Sequence, residues 1–401
     1  MDFRLTDDQR ALRHGIRELL EGRFGREALR AAVDRADGRG GTGGASRTDG
    51  ARGASRADGA RGANRADGAR GANRADGARG ASRTDGARGA RGTADGKHPE
   101  GGRVLDRELW HELGAAGFFA LRLPEAEGGV GQGLPEAVLA FEEAGRVLLP
   151  GPLIATHLAA GAVAGAATGE VVVASVDGGL VEWLDEADVV RGNATGAEPL
   201  ASVDPLTPLH RLPAATASRP ESGALRGPWT PGGPGGPPGP DGLGGPPAPD
   251  TLGAPAPPQA GEALLASLLT AAEQLGSAAR TCETAVQHAR TREQFGQPIG
   301  AFQAVQHLCA GMLVRVEVAR AAVYAASVTA DPVDIAAARL LADDAAVRGA
   351  RDCLQVSGGM GFTWESDVHL HLKRAWIRTH RAGGATQREE ELADDLVAGT
   401  A

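Results

Sequence analysis

Two short stretches of the sequence carry residues that could hold a charged ligand. Residues 288–303 close a long helical pattern with several arginines and then turn the chain at Gly296 and Gly300. Residues 355–363 follow a second helical pattern and place three glycines within four positions. Cations in the last turn of a helix complement its dipole, and a backbone without Cβ atoms can approach a ligand or a second chain closely. Both stretches are therefore candidates for a binding site.

These stretches resemble the Arg-x-x-Phe-Gly and Gln-x-x-Gly-Gly segments of the acyl-CoA dehydrogenase family, and the likeness is dense over residues 261–380. In that family the two segments hold the pyrophosphate and adenosine of FAD across a subunit interface. The resemblance therefore implies FAD as the cofactor and an oligomer of identical or related subunits. The cofactor-binding residues that it implies are Arg292, Gln294, Phe295, Gln355, Gly358 and Gly359.

A plainer interpretation of these residues stays open. In that alternative, Arg292 only caps a helix and the glycines only turn the chain. A planar guanidinium suits bidentate contact with phosphate. Because two separate segments match the family together, we favour the cofactor site.

The reaction that the resemblance implies is the α,β-dehydrogenation of an acyl-CoA thioester, in which a glutamate removes the α-proton and hydride passes to the flavin. Family members carry that glutamate at one of two positions, and this chain has Ala382 and Ala266 there. Glu262 lies one helical turn before Ala266 and is our candidate for the catalytic base. We assign Glu365 a structural role, because many family members have it beside the true base.

The missing glutamate leaves two main functions open. The first is a working dehydrogenase with an acyl-CoA substrate, an electron-transfer acceptor and a base still to be identified. The second is a non-catalytic subunit that completes the FAD site of a glutamate-bearing partner, as in a subgroup of actinobacterial-type dehydrogenases that residues 362–375 resemble. A more distant third is a binding protein whose helical bundle only oligomerises.

Composition excludes several other classes of protein. The formal net charge of −9 argues against nucleic-acid binding, which needs an excess of Lys and Arg. The sequence shows no apolar run of membrane-spanning length and no signal peptide, so we expect a cytoplasmic protein. The alternation of Asp367, His369 and His371 puts them on different helix faces, so we predict no metal site. We expect buried, reduced thiols at the three cysteines. These are Cys282, Cys309 and Cys353.

We predict a mainly α fold with a small β-domain, in acyl-CoA dehydrogenase-like order. Apolar residues recur at helical spacing in four patterns after residue 261, which favours a four-helix bundle. The predicted parts are an N-terminal helical domain (1–32 and 103–160), a reduced β-domain (161–226) and a C-terminal helical domain that binds FAD and forms the oligomer interface (261–401). Trp183 falls in a strand pattern of the β-domain, and we assign it to the core.

Two segments lack the residues needed for a core. Residues 33–102 contain a nine-residue Arg-Asp-Gly-Ala repeat over 47–91 and almost no large apolar side chain, so we predict a disordered insertion. An RNA-binding Arg-Gly tract is the alternative, although the repeat has no aromatic residue for stacking. Residues 227–260 are rich in glycine and proline and are predicted to be a linker.

Overall fold

The structure, a computed structural model, describes residues 5–37, 104–213 and 260–381, together with residues 388–390, 392–394 and 397. Most of the predicted insertion, nearly all of the predicted linker and Ala382 lie outside the described residues. No helix within the described part of the chain is both long and apolar enough to cross a membrane.

Helices make up the N-terminal part of the chain, as predicted. The first begins at a capping box in which Thr6 and Gln9 bond each other's backbone amides. Phe118, Phe119 and Phe141 meet in an aromatic cluster at the centre of this part. The helices are α1 (Asp7–Arg23), α2 (Arg26–Ala36), α3 (Arg107–Ala115), α4 (Leu134–Arg146) and α5 (Leu153–Ala159).

Helix α2 corrects one predicted boundary. The insertion was predicted to begin at residue 33, but α2 continues to Ala36 and Val33 is fully buried. Leu29, Ala32 and Val33 form its buried face. A helical period of apolar residues therefore extends past residue 32, and the repeats contain no comparable residues.

Two buried glutamates of α4 hold α1 in place. Glu143 accepts hydrogen bonds from Arg13 at 2.8 Å and from Arg17 at 2.6 and 2.8 Å. Glu142 is fully buried and accepts a hydrogen bond from Tyr324 at 2.6 Å. Burial alone would raise the pKa of Glu143, but the hydrogen bonds from Arg17 and Arg13 outweigh it and the pKa is lowered. The ionised form of Glu143 therefore favours the folded state.

We expect Glu143→Gln to reduce the free energy of unfolding at pH 7 by about 2 kcal/mol. This is less than the roughly 3–5 kcal/mol lost when a fully buried pair is broken, because Arg13 and Arg17 are partly exposed and screened. The folded pKa of Glu143 is depressed, so its contribution is complete above its unfolded pKa of about 4.3 and is lost as pH falls through the folded pKa. Chemical denaturation at pH 7 and pH 3 measures this. An undiminished difference between wild type and variant at pH 3 would contradict the assignment.

The described residues 173–211 form a five-stranded sheet in the order β3–β1–β2–β5–β4. Strands β1 and β3 are parallel and the other pairs are antiparallel. Apolar runs at 170–176, 180–184 and 187–190 predict the first three strands, whereas β4 and β5 have little apolar character and were not predicted. The strands are β1 (Val173–Asp177), β2 (Leu180–Glu182), β3 (Val189–Arg191), β4 (Glu198–Leu200) and β5 (Leu209–Arg211).

Four long helices form most of the C-terminal part, as predicted. In the sequence, Asp331 and Pro332 predict a cap and a first-turn proline, and α8 begins there, with the Asp331 side chain accepting from two backbone amides. The fourth helical pattern of the sequence runs from Trp364 to Ile377, but the helix starts at Val368, because residues 358–366 turn the chain first. The helices are α6 (Ala260–Thr291), α7 (Gln303–Thr329), α8 (Pro332–Ser357) and α9 (Val368–His380).

Burial in the structure tests the predictions made for Trp183 and for the three cysteines. Trp183 is 1% exposed within the main core, which confirms its assignment. Cys282 and Cys353 are buried free thiols, and burial raises the pKa of Cys282 to about 11 and of Cys353 to about 12. Cys309 is only partly buried, which corrects the prediction for that residue. Its helix, α7, faces solvent along one side.

Candidate functional site

The first candidate segment forms a tight hairpin directly after α6. Strands β6 (Glu293–Gln294) and β7 (Gln297–Pro298) pair, and the two residues between them, Phe295 and Gly296, have φ values of 55° and 77°. Positive φ at both central residues is the geometry of a type I′ turn. A phenylalanine rarely adopts it, and such strained positions cluster at ligand sites.

The side chains of this hairpin are presented to solvent. Phe295 is 91% exposed and touches only the edge of Phe302, with ring centroids 6.0 Å apart. The Arg292 amide donates to the His288 carbonyl oxygen at 2.8 Å, but its exposed guanidinium has no hydrogen bond or ion pair among the described residues. Gln294 donates only to the neighbouring Glu293 carbonyl oxygen. The hairpin region therefore exposes both a cation without a partner among the described residues and an aromatic ring.

The second candidate segment ends α8. Gln355 is exposed in the last turn of the helix, and Gly358 follows it with φ 60° and ψ −143°, a conformation that a residue with a Cβ rarely adopts. A Cβ added at Gly358 or at Gly359 would meet no described atom within 4 Å. The glycine backbone therefore lies open to an approaching ligand or chain.

A cleft of about 740 Å³ lies beside both segments and is lined by His288 of the first and by Ser357 and Met360 of the second. The six predicted cofactor-binding residues lie outside its lining. Its α6 wall carries Thr284 and His288, which precede Arg292 on one helix face, and its opposite wall carries Ser357, Met360 and Gly361. We call it the glycine-turn cleft. The pKa of His288 is lowered by burial and by the charge of Arg292, which keeps the imidazole neutral at pH 7. The two stretches that were singled out in the sequence thus border one opening.

This edge fits the phosphate and adenosine part of FAD. Arg292 offers an unpaired guanidinium, the donor best suited to a pyrophosphate, and Phe295 offers a free aromatic face. Gly358 and Gly359 leave their backbone uncovered. The same edge is solvent-exposed in a single chain, as a site that is completed by a second subunit must be.

A second cavity lies at the predicted position of the base. Ala266 is on its wall, and Glu262 lies on the same wall one turn earlier. The cavity is small, about 150 Å³, and lies between α5, the sheet, α6 and the end of α9. We call it the charged cavity. The charged side chains that line it are Asp177, Glu182, Arg191, Glu262, Arg339, Arg378 and Arg381.

The charges around this cavity are paired with each other. Arg191 forms a bidentate pair with Glu262 at 2.6 and 3.1 Å. Arg378 donates to Glu182 at 2.9 Å and also lies 3.0 Å from a carboxylate oxygen of Glu273. All three pairs have at least one partner with a side chain that is no more than 10% exposed. Ion pairs therefore form part of the cavity wall.

Electrostatics keeps these groups ionised. Burial alone would raise the pKa of Glu182, but the charges of Arg381, Arg378 and Arg374 outweigh it and the pKa is lowered. Burial alone would lower the pKa of Arg378, but Glu273 and Glu182 outweigh it and the pKa is raised. Separating one such buried pair typically costs about 3–5 kcal/mol.

The charged cavity does not fit a flavin ring beside an acyl thioester. Pockets for ligands of that size enclose roughly 300 Å³ or more. The charged cavity encloses about 150 Å³, and enlarging this cavity would separate buried ion pairs. The Glu262 carboxylate already forms an ion pair with Arg191. Its role as the base stays a prediction.

The other singled-out polar residues have structural partners. Asp367 pairs with Arg26 at 2.6 Å, and the Glu365 carbonyl oxygen accepts from the same arginine at 2.7 Å. His371 is buried against Ser277 at 2.8 Å, and burial is the main cause that lowers its pKa to about 3. His369 stacks on Trp364. Among the described residues, no group of three or more His, Cys, Asp and Glu side chains could hold a metal.

Sequence reasoning missed the arginines at the end of α9, two of which line the charged cavity. Arg374, Arg378 and Arg381 recur at helical spacing there, and that spacing was the available signal. Asp204, the partner of Arg374, and Glu182, the partner of Arg378, lie 170 and 196 residues earlier in the chain. A pairing over that distance along the chain leaves no local pattern.

Comparisons with known proteins agree with this architecture. The model of the acyl-CoA dehydrogenase C-terminal domain matches residues 265–391, and that of the N-terminal domain matches residues 94–171. Acyl-CoA dehydrogenase IpdE2 of Mycobacterium tuberculosis is 34% identical over 295 residues, which cover 68% of this chain and 81% of IpdE2.

Two solved structures share the fold. The ChsE4–ChsE5 complex from Mycobacterium tuberculosis matches with a TM-score of 0.65 at 20% identity, over 99% of both chains. PigA with FAD and proline matches with a TM-score of 0.63 at 16% identity, again over 99% of both chains. With two matching family domains, a relative covered over four-fifths of its length and the same mainly helical fold with a small sheet, this chain belongs to the acyl-CoA dehydrogenase family.

Proposed function

We propose that this chain is a non-catalytic subunit of an acyl-CoA dehydrogenase assembly. In this proposal it completes the FAD site of a related subunit that carries the base glutamate. One contrast carries the proposal: the edge that bears Arg292 and Phe295 is exposed, and the Arg292 guanidinium has no partner among the described residues, whereas the small charged cavity at the base position is lined by ion pairs.

The exposed edge supports the first half of the proposal. Arg292 would hold the pyrophosphate of the partner's FAD, and Phe295 would lie against its adenosine end. Gln355, Gly358 and Gly359 would receive the adenosine from the opposite side. A bound FAD would supply the hydride acceptor for the partner's reaction. The role of this chain is to position that cofactor and to exclude water from its outer end.

The charged cavity supports the second half. Ala266 offers no group that can take up a proton, and Glu262 is paired with Arg191. An acyl chain would also have to displace charged groups from a space of about 150 Å³. An acyl-CoA substrate and an electron acceptor are therefore assigned to the partner's active site.

The outer face of α7 suits contact with another subunit. Leu313, Val314 and Val318 are between 48% and 62% exposed on this helix. Large apolar side chains that are grouped on a surface mark interaction sites. Among solved structures of this fold is a complex of two different chains, ChsE4–ChsE5. We therefore favour a hetero-oligomer over a homo-oligomer.

Dehydrogenase assays with an artificial acceptor such as phenazine test the proposal. We expect no activity from the chain alone and activity when a glutamate-bearing paralogue is added, for example one encoded by a neighbouring gene. Substantial turnover by the purified chain alone would overturn the proposal.

A working dehydrogenase is the second candidate, because Glu262 lies on the cavity wall beside the family's base position. Two variants distinguish a base from an ion-pair partner. Glu262→Gln removes the carboxylate, whereas Arg191→Gln breaks the same pair and leaves the carboxylate in place.

If Glu262 only pairs with Arg191, we expect both variants to have the same effect and the assembled complex to keep its kcat within about twofold. A base would behave differently, with activity reduced about a hundredfold or more in Glu262→Gln alone. Steady-state kinetics of the two complexes, with melting curves to verify folding, provide the comparison.

A further inference from the structure

The ion pairs of the charged cavity connect the sheet to the helices. Each of the first three strands ends in one charged side chain that faces a helix or its end. Asp177 of β1 pairs with Arg381 at 3.1 Å, and Glu182 of β2 pairs with Arg378 at 2.9 Å. Arg191 of β3 pairs with Glu262 of α6. Three neighbouring strands are thus attached to α6 and to the end of α9 at one place.

Other contacts also join the sheet region to the helices: Thr156 of α5 exchanges two hydrogen bonds with the Val173 backbone, and Arg374 of α9 pairs with Asp204. Ser175 and Val176 of β1 line the cavity, and the apolar wall opposite is formed by α5. Asp343 extends the network behind the cavity, where it pairs with Arg339 at 3.1 Å and with Arg388 at 2.7 Å. The side chains of Asp343 and Arg339 are 3% exposed. Ion pairs, from partly exposed to fully buried, therefore join the sheet to the helices.

The resemblance to the family implies that a flavin ring would lie between sheet and helices at this place, and the cavity does not accommodate one. We propose that the ion pairs Asp177–Arg381, Glu182–Arg378 and Arg191–Glu262 replace a bound flavin ring as the element that holds the sheet against the helices. We call these three pairs the sheet latch. The inference rests on the proposed function, since it explains how a subunit without its own flavin ring keeps its sheet in place.

Two measurements on the isolated full-length chain test the sheet latch. First, added FAD should leave the melting temperature unchanged within about 1 °C, because a ligand stabilises a fold only by binding it. Second, Glu182→Gln should release the sheet locally. We expect amide exchange in residues 173–191 to accelerate about tenfold or more, while exchange in α7 and α8 stays unchanged.

Asp344→Asn is the matched control. It breaks an ion pair with Arg348 of similar length, 2.7 Å, between two exposed side chains on α8. We expect no change in the exchange of residues 173–191 in this variant. If Glu182→Gln does not fold, Asp177→Asn removes a pair with a more exposed carboxylate and should give the same local pattern more weakly.

Two results would overturn the inference: a rise of more than about 3 °C in melting temperature on adding FAD to the isolated chain, or unchanged exchange in the strands of both latch variants. Neither result depends on the partner subunit. A colourless, inactive complex would instead refute the proposed function while leaving the latch measurements valid, so the two failures are distinguishable.

Discussion

Replacing Arg292 with alanine should release FAD from the assembled complex. In the proposed arrangement its guanidinium makes charge-assisted hydrogen bonds to the pyrophosphate, and such bonds contribute about 1.5–3 kcal/mol. We therefore expect the dissociation constant of FAD to rise about 10- to 100-fold. The isolated chain should keep its melting temperature, because the guanidinium is exposed and makes no hydrogen bond or ion pair within the described residues. Flavin absorbance of the complex after dialysis provides the measurement.

Arg290→Ala is the matched control, because Arg290 is an exposed arginine two residues earlier in α6. It removes the same charge from the same end of the helix but lies on another face. Equal flavin loss in both variants would mean that only overall charge matters. Full flavin retention in Arg292→Ala would show that Arg292 does not contribute to FAD binding.

A single methyl group at Gly276 should disrupt the helical core. A Cβ added there would lie 1.8 Å from the Glu142 carbonyl oxygen, and one added at Gly145 would lie 2.0 Å from the Glu273 carbonyl oxygen. The backbones of α4 and α6 therefore touch where these two glycines cross. Backbone atoms cannot rotate away as a side chain would, so the helices must separate. We expect Gly276→Ala to cost more than the roughly 1–3 kcal/mol typical of overpacked cores.

Gly261→Ala provides the comparison within the same helix. Gly261 has no described atom within 4 Å of a Cβ, and alanine favours helix over glycine by about 1 kcal/mol. We expect this variant to be as stable as the wild type or more stable. Denaturant titrations of both variants measure the difference. A Gly276→Ala protein with wild-type stability would show that α4 and α6 are not in backbone contact.

The sequence was most informative where the pattern is local. The cap at Asp331 and Pro332, the capping box of Thr6 and Gln9 and the four C-terminal helices follow from residues within one or two turns of each other. The arginine and glycine segments were also found locally, and His288 of the first and Gly361 of the second line the glycine-turn cleft. Their role in binding FAD remains a prediction.

The parts that the sequence did not predict depend on distant partners. Strand β5 pairs with β2 and with β4, although β4 and β5 have little apolar periodicity, so hydrogen bonding within the sheet decides their conformation. The pairing of Glu182 with Arg378 joins residues 196 positions apart. Glu262 looked free as a candidate base because its partner, Arg191, lies 71 residues earlier in another element.

Flavin stoichiometry tests the account most directly. The chain should be titrated with FAD alone and then as a complex with a glutamate-bearing dehydrogenase subunit, with bound flavin measured by absorbance after gel filtration. We predict no retained flavin for the chain alone and one FAD for each copy of this chain in the complex. Stoichiometric flavin on the isolated chain, or a complex that stays colourless, would contradict the account.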